Sequence, residues 1–193
     1  TTHSIKDIYQ MENPITMNQI RKLSSIEIDD KINYLETLRS YPKCNEAIEE
    51  KIVNADIIIY GSGTPYSSIL PSLETKDISR FINENNAPKV MIANLKKETN
   101  NFVNVSDLVE DLFKHLSRSV TKKINKKDLL THLIVNDNVD DNFSDQSITF
   151  DADNLKKKYS WLKVIKGNFA DKSNPSAHNG AKVFEALKSI INE

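Results

Sequence analysis

The chain has 193 residues, of which 38% are hydrophobic and 27% are charged, and its formal net charge is -1 at pH 7. That length and composition are typical of one globular domain with its own core, and they exclude a wholly disordered chain. The balanced charge gives no basic footprint, so neither nucleic acid nor an anionic membrane surface is expected as a partner.

The first fifty residues are predicted to be helical. Ser24 and Glu27 have the three-residue spacing of a capping box. The apolar residues that follow at helical steps are Ile28, Ile32 and Leu35. Pro42 is expected to open another helix, because proline suits a first helical turn. We therefore expect a helical segment over residues 1–50 and a separate α/β domain over residues 51–193.

Strands and helices are predicted to alternate from residue 55 onward. Ala55–Tyr60 is a short, mostly β-branched run, which predicts a strand covered on both faces, whereas the acidic stretch Asp137–Asp145 is predicted to be a loop. Further strands are expected at Lys89–Asn94, Leu129–Asn136 and Leu162–Ile165, with Ser147–Phe150 a candidate short strand. Helices are expected at about Asp77–Asn86, from a Ser106 cap to Leu116, at about Asp153–Tyr159 and at Gly180–Ile191. This alternation predicts an α/β fold with an open, mostly parallel sheet, flanking helices and right-handed crossovers.

A glycine-containing loop follows the first predicted strand. The chain has four glycines, and two of them are Gly61 and Gly63. Open parallel sheets bind ligands at the carboxyl ends of their strands. Gly61 is expected to permit the turn and Gly63 to let a ligand approach the backbone, and a helical turn starting at Ser67 would favour an anion. The hydroxyl groups of this loop belong to Ser62, Thr64, Ser67 and Ser68.

The spacing of this loop leaves its role open. It lacks the lysine of a phosphate-binding Walker A loop and the third glycine of a dinucleotide fingerprint. A strand followed by Gly-x-Gly is equally compatible with a structural turn, and Ser67 and Ser68 could cap a helix. The sequence pattern alone therefore does not decide between phosphate binding and a purely structural role for this loop.

The remaining signals concern location and metals. Cys44 is the sole cysteine, so a disulfide framework is excluded and a reducing, cytoplasmic location is expected. No apolar run approaches the ~18–20 residues of a membrane span. The histidines do not have metal-site spacing, so no metal is expected in this chain. The absence of an initial methionine suggests a piece of a longer protein.

The stretch from Asn45 to about Leu116 resembles the CofD/YvcK family, the superfamily of 2-phospho-L-lactate transferase and gluconeogenesis factor. The matching residues are Ala55-Asp56, Ile57–Ile59, Gly61, Gly63, Thr64, Ser67-Ser68, Ile69-Leu70, Pro71, Ser72, Leu73, Ala87–Val90, Asn94-Leu95, Glu98-Thr99 and Leu133–Asn136. His178 also matches a family histidine near the start of the last helix, although a helix-start role is the plainer interpretation.

The resemblance implies a Rossmann-like fold and two different functions. One branch of the family is a magnesium-dependent transferase that moves a phospholactyl group from a guanosine diphosphate carrier to a deazaflavin. The other resembles a regulator that binds UDP-sugars. The ligand-binding residues implied for this chain are Gly61, Ser62, Gly63, Thr64, Ser67 and Ser68 in the loop, and Asn94, Asn136, Glu98 and Thr99 at or beyond strand ends.

The sequence also departs from the family pattern. Ser62 stands where the family has proline, and the Gly-Gly-Gly loop and metal-binding aspartates of the family's first half are not found. The chain therefore resembles the C-terminal half of the family fold, and we expect catalysis by this piece alone to fail, with Mg²⁺ restricted to the full-length protein.

Three hypotheses follow. The leading one is a domain of a longer chain that binds a nucleotide or nucleotide-sugar diphosphate, with a homodimer as a further possibility. The second is a Mg²⁺-dependent transferase of phospho-substituted groups, and the third is a structural domain that mediates assembly only. The catalytic residues are left unassigned.

Overall fold

The protein is built around a parallel sheet. A computed structural model describes residues 5, 7–97, 103–120, 122–137 and 146–193. Within them, four strands follow the order β1-β2-β3-β4, and every pairing is parallel. The strands are β1 Ile58–Tyr60, β2 Lys89–Ile92, β3 His132–Asn136 and β4 Lys163–Gly167. The predicted α/β fold with an open parallel sheet is confirmed.

Helices flank this sheet and precede it. They are α1 Met17–Ser25, α2 Ile28–Leu38, α3 Glu46–Val53, α4 Leu70–Leu73, α5 Ile78–Glu84, α6 Val105–Arg118, α7 Lys126–Leu129, α8 Ala152–Lys158 and α9 Gly180–Ile191. A π-helical turn, Pro65–Ile69, runs directly into α4. The bounds of α9 agree with the sequence prediction. The sequence predicted a helical segment over residues 1–50 but did not mark α1 within it; α1 buries no residue. None of the helices described is both long and apolar enough to cross a membrane.

The two faces of the sheet are covered unequally. Strands β1 to β4 follow chain order, so right-handed crossovers place their connecting helices on one face. There α5 and α6 contribute Phe81 and Leu112 to the larger apolar core. The other face packs against α9 through Val183 and Ile190. Strand β1 forms one rim of the described sheet, and Ile59 is 44% exposed. The prediction that both faces of β1 are covered is therefore wrong.

A buried ion-pair cluster joins the N-terminal segment to the sheet domain. The Glu74 carboxylate, which is fully buried, accepts hydrogen bonds from Arg39 Nη1 at 2.8 Å and Arg118 Nη1 at 2.7 Å. His115 Nδ1 lies 2.7 Å from the same carboxylate. Asp7 forms an ion pair with Arg118. Residues from both sides of the predicted boundary at residue 50 thus share one cluster, which we call the Glu74 cluster.

The capping box predicted at Ser24 and Glu27 is wrong. Ser24 lies inside α1, where its hydroxyl donates to the carbonyl of Ile20. Glu27 occupies the N-cap of α2 without a side-chain cap. The observed capping box belongs to α1 and joins Thr16 to Gln19. The same spacing therefore occurs twice within this stretch, and the first occurrence is the one that caps a helix.

Two other predicted helix starts lie at the wrong residue, in both cases because an asparagine provides the cap. Asn45 accepts a hydrogen bond from the N–H of Ala47, so α3 begins four residues after Pro42. Asn104 caps α6 in a capping box with Asp107, which places Ser106 inside the helix. An asparagine amide oxygen satisfies the free N–H groups of a helix start as well as a serine hydroxyl does.

Two predicted strands also need correction. Leu129 ends α7, so β3 begins at His132 rather than at Leu129. Ser147 and Thr149 form isolated bridges to Lys96 and Asn104, respectively, instead of joining the sheet. Both segments are apolar and β-branched enough to suggest strands, but their neighbours in space decide the outcome.

Candidate functional site

The loop after β1 lies at the carboxyl edge of the sheet, where it is fixed to the next strand. The side-chain nitrogen of Asn94 donates to the main-chain carbonyls of Ser62 at 3.2 Å and Gly63 at 3.4 Å. Just before the loop, the buried Tyr60 hydroxyl donates to the carbonyl of Leu129 at 2.7 Å. The predicted strand-end residue Asn94 is thus brought to the loop, where it holds the backbone in place.

A histidine from a distant part of the chain also reaches this loop. His178 Nδ1 lies 3.2 Å from Ser62 Oγ, and His178 Nε2 lies 3.1 Å from the carbonyl oxygen of Ala93. Burial lowers the pKa of His178, and the hydrogen bond to the Ala93 carbonyl opposes that shift only in part. Because the carbonyl can only accept, the neutral ring carries its proton on Nε2 and presents a lone pair on Nδ1 to Ser62.

The two glycines of the loop differ in what surrounds them. A Cβ atom added to Gly61 would meet nothing within 4 Å, whereas one added to Gly63 would lie 3.2 Å from Ile69 Cδ1 and 3.3 Å from Ser68 Cβ. Neither glycine has a positive φ. The sequence-based reasons are therefore wrong for both residues: the turn does not require glycine at Gly61, and Gly63 faces the protein. Gly61 is the residue that leaves open space beside the loop.

The hydroxyl groups of the loop are mostly on the surface. Thr64, Ser67 and Ser68 are exposed, whereas Ser62 is half-buried. The helical turn begins at Pro65 rather than at the predicted Ser67, and the N–H of Ser68 donates to the carbonyl of Thr64 at 2.9 Å. No described main-chain carbonyl accepts a hydrogen bond from the N–H of Ser62. The same holds for Gly63 across the described residues.

A ligand on this loop would have to lie on its outer side. The cavity beneath the loop measures about 10 Å³, which is about the space of a single water molecule. A much larger groove of about 1140 Å³ lies beside the C-terminal half of α6 and is lined by Phe113, Lys122, Lys126, Tyr159 and Trp161 among others. That groove adjoins α7, which precedes β3, and so lies toward the amino ends of the strands. Open parallel sheets bind ligands at the other edge, so we place the candidate site at the loop.

The other predicted strand-end residues do not join the loop in the same way. Asn136 Oδ1 accepts hydrogen bonds from the N–H groups of Phe169 at 2.7 Å and Ala170 at 3.2 Å, which fixes the segment after β4. Glu98 and Thr99 lie outside the described residues. Ligand contact by Asn136, Glu98 and Thr99 therefore stays a prediction.

The sequence did not predict the residues that pack against the loop on its protein-facing side. Tyr66, within the π-helical turn, donates its hydroxyl to Asp111 Oδ2 at 2.8 Å. Its ring packs edge-on against His115 at 6.4 Å between centroids. His115 belongs to the Glu74 cluster, so the Tyr66–His115 ring contact links the loop to that cluster. The apolar stripe of α6 predicted its inward face, but no local pattern indicated these polar partners.

The Glu74 cluster has the donor atoms of a metal site but the charge of an ion-pair network. Asp7, Glu74 and His115 each offer a ligand atom, and these atoms all lie within 4.8 Å of one another. However, Arg118 donates to both carboxylates, and Arg39 donates to Glu74. Two guanidinium groups beside the carboxylates disfavour a divalent cation, so we interpret the cluster as structural.

The fold and the loop define the class of protein. An open parallel sheet with a hydroxyl-rich Gly-x-Gly loop at its carboxyl edge is an α/β domain of the Rossmann-like class. The profile of the family described as 2-phospho-L-lactate transferase CofD matches residues 4–170, and the chain belongs to that family. The family suggested by the loop motif is thereby confirmed.

Individual relatives match shorter stretches. The gluconeogenesis factor of Listeria monocytogenes is 40% identical over 60 residues, which cover 31% of this chain and 17% of the relative. The putative gluconeogenesis factor of Aquifex aeolicus is 39% identical over 64 residues, covering 32% and 20%. The match thus spans about a fifth or less of these relatives' length.

Solved structures show the same fold. A crystal structure of a Bacillus halodurans protein superposes with a TM-score of 0.63 at 23% identity, covering 76% of this chain and 47% of the other. A second crystal structure of the same protein, described as a member of the UPF0052 family, gives the same score and identity and covers 46% of that chain. This chain therefore corresponds to about half of the solved fold.

Proposed function

We propose that this chain binds the diphosphate of a nucleotide or nucleotide sugar on the outer side of the loop Gly61–Ser68. The observation that carries the proposal is the loop's position at the carboxyl edge of the sheet, with open space beside Gly61. The hydroxyls of Thr64, Ser67 and Ser68 are exposed, and among the described residues no main-chain carbonyl accepts from the N–H groups of Ser62 and Gly63. Groups of this kind bind phosphate oxygens without a lysine.

The binding step relies on pre-arranged donors. Asn94 holds the carbonyls of Ser62 and Gly63, so the adjoining N–H groups are fixed before a ligand arrives. Thr64 and Ser67 add hydroxyls that can rotate toward phosphate oxygens. Because the loop is already ordered, less conformational entropy is lost on binding.

A titration experiment tests this proposal. UDP-sugars, GDP and inorganic pyrophosphate are titrated into the chain by isothermal calorimetry, and at least one of them should bind. Gly61→Val should weaken binding about tenfold or more, since the added methyls occupy the open space, and a tenfold loss corresponds to ~1.4 kcal/mol. The same change should leave the melting temperature nearly unchanged, because a Cβ at that position meets no protein atom.

Lys126→Ala is the matched control because Lys126 lines the large groove instead. It should leave the affinity unchanged. If Lys126→Ala weakens binding and Gly61→Val does not, the ligand occupies the groove and the loop proposal is wrong. The absence of heat with all three ligands would also contradict it.

The family match favours a second candidate function, a transferase of phospho-substituted groups. In that reaction the loop would stabilise the negative charge that grows on a leaving diphosphate. The residues of Gly61–Ser68 include no carboxylate, so they do not fit a Mg²⁺ site by themselves, and we assign no step to a metal in this chain. A transfer assay with a phospholactyl nucleotide diphosphate and a deazaflavin acceptor tests this candidate directly.

A further inference from the structure

Ser62 and His178 form a hydrogen-bonded pair at the edge of the candidate site, although 116 positions separate them in sequence. Ser62 Oγ lies 3.2 Å from His178 Nδ1. On the far side of the ring, Nε2 lies 3.1 Å from the Ala93 carbonyl. This order of hydroxyl, imidazole and fixed acceptor is the arrangement in which a base activates a serine nucleophile.

Two features fix the histidine in this role. His178 pairs with Ala170 through an antiparallel bridge, and the next residue, Asn179, caps α9 by accepting from the N–H of Lys182. The Ala93 carbonyl then sets the tautomer, leaving Nδ1 as the acceptor. The ring is therefore held, rather than free to rotate away from Ser62.

We propose that Ser62 is a nucleophile activated by His178 and that it takes a phosphoryl group from a phosphate ligand held on the loop. The choice of ligand rests on the proposed function.

The step balances within the site. Ser62 Oγ attacks phosphorus, and the bond from phosphorus to the leaving phosphate oxygen breaks. The hydroxyl proton moves to His178 Nδ1, giving an imidazolium that still donates from Nε2 to the Ala93 carbonyl. The proton then passes to the leaving group. Within the described part of the chain, the N–H groups of Ser62 and Gly63 donate to no main-chain carbonyl, so they are available to stabilise the charge on the phosphoryl oxygens.

A fluorophosphonate probe tests the pair without requiring nucleotide binding. The same attack forms an Oγ–P bond and expels fluoride. Mass spectrometry of the intact chain and its peptides should locate the label at Ser62, ahead of the exposed Ser67 and Ser68. Equal labelling of Ser67 or Ser68 in the wild-type chain would overturn the proposal, and this comparison requires no variant.

His178→Gln removes the base at Nδ1 and keeps an amide N–H that can donate to the Ala93 carbonyl. Its labelling rate should fall about 100-fold, the lower end of the usual contribution of a general base. Ser189→Ala is the matched control, because Ser189 is an exposed serine of α9 outside the loop, and it should label at the wild-type rate. Unchanged labelling in His178→Gln, with a normal circular dichroism spectrum, would refute activation by the histidine.

The two proposals fail separately. If calorimetry detects no binding but Ser62 is still labelled, the proposed phosphate ligand is contradicted and the proposal that Ser62 is a nucleophile is kept. If calorimetry detects binding but Ser62 is not labelled, the proposal that Ser62 is a nucleophile is contradicted and the proposed binding function is kept.

Discussion

Glu74→Gln should destabilise the protein strongly, because it removes the charge at the centre of the Glu74 cluster. The side chain of Glu74 is 0% exposed and that of its partner Arg39 is 2% exposed. Arg118, at 16% exposed, keeps Asp7, whereas Arg39 keeps Glu36 at 2.8 Å and the more distant Asp7 at 3.9 Å. Removing one member of a buried ion pair typically costs about 3–5 kcal/mol, since the remaining charge stays buried without compensation.

Urea unfolding at neutral pH measures this loss as a lower midpoint at unchanged slope. A fall of about 3–5 kcal/mol is large beside a typical total stability of about 5–15 kcal/mol. The matched control is Glu84→Gln, which breaks an exposed pair with Arg80 and should cost about 0–1 kcal/mol. Limited proteolysis should also show faster cleavage in residues 1–50, because Arg39 is part of that segment.

If Glu74→Gln lowers the free energy of unfolding by no more than Glu84→Gln does, this reasoning is refuted. In that case the cluster would not hold the N-terminal segment against the sheet. If the free energy of unfolding falls by the full expected amount but proteolysis is not faster, other contacts hold the N-terminal segment.

Two pH effects should accompany this result. Burial raises the pKa values of Asp7 and Glu74, but hydrogen bonds from Arg118 to both and from His115 to Glu74 outweigh it, so both lie below their ordinary values of 3.8 and 4.5. The two carboxylates therefore stabilise the fold above pH values of 3.8 and 4.5, and this contribution should be lost as the pH falls below them. The urea midpoint of the wild-type protein should drop in acid, and the midpoint of Glu74→Gln should drop less steeply. Burial lowers the pKa of His178 from 6.5, so the stability of the folded protein should fall as the pH drops below that value. The urea midpoints measured at about pH 7.5 and 5.5 should therefore differ less in His178→Gln than in the wild-type protein.

Local pattern determined much of the secondary structure. The apolar periodicity of α9 predicted both ends of that helix, and the β-branched runs located all four strands within a few residues. The Gly-x-Gly loop was also recognisable, because its residues are consecutive and follow a strand. These features depend on neighbours within one or two turns of chain, which the sequence displays directly.

The tertiary structure alone decided which distant residues meet. The sequence by itself established an α/β chain with a hydroxyl-rich loop after its first strand. It did not show that β1 forms a rim of the described sheet, that Glu74 collects charges from Asp7 to Arg118, or that His178 lies against Ser62. Each of these depends on the path of the chain through space. A polar side chain carries no periodic signal of its partner, so only the folded arrangement brings such partners together.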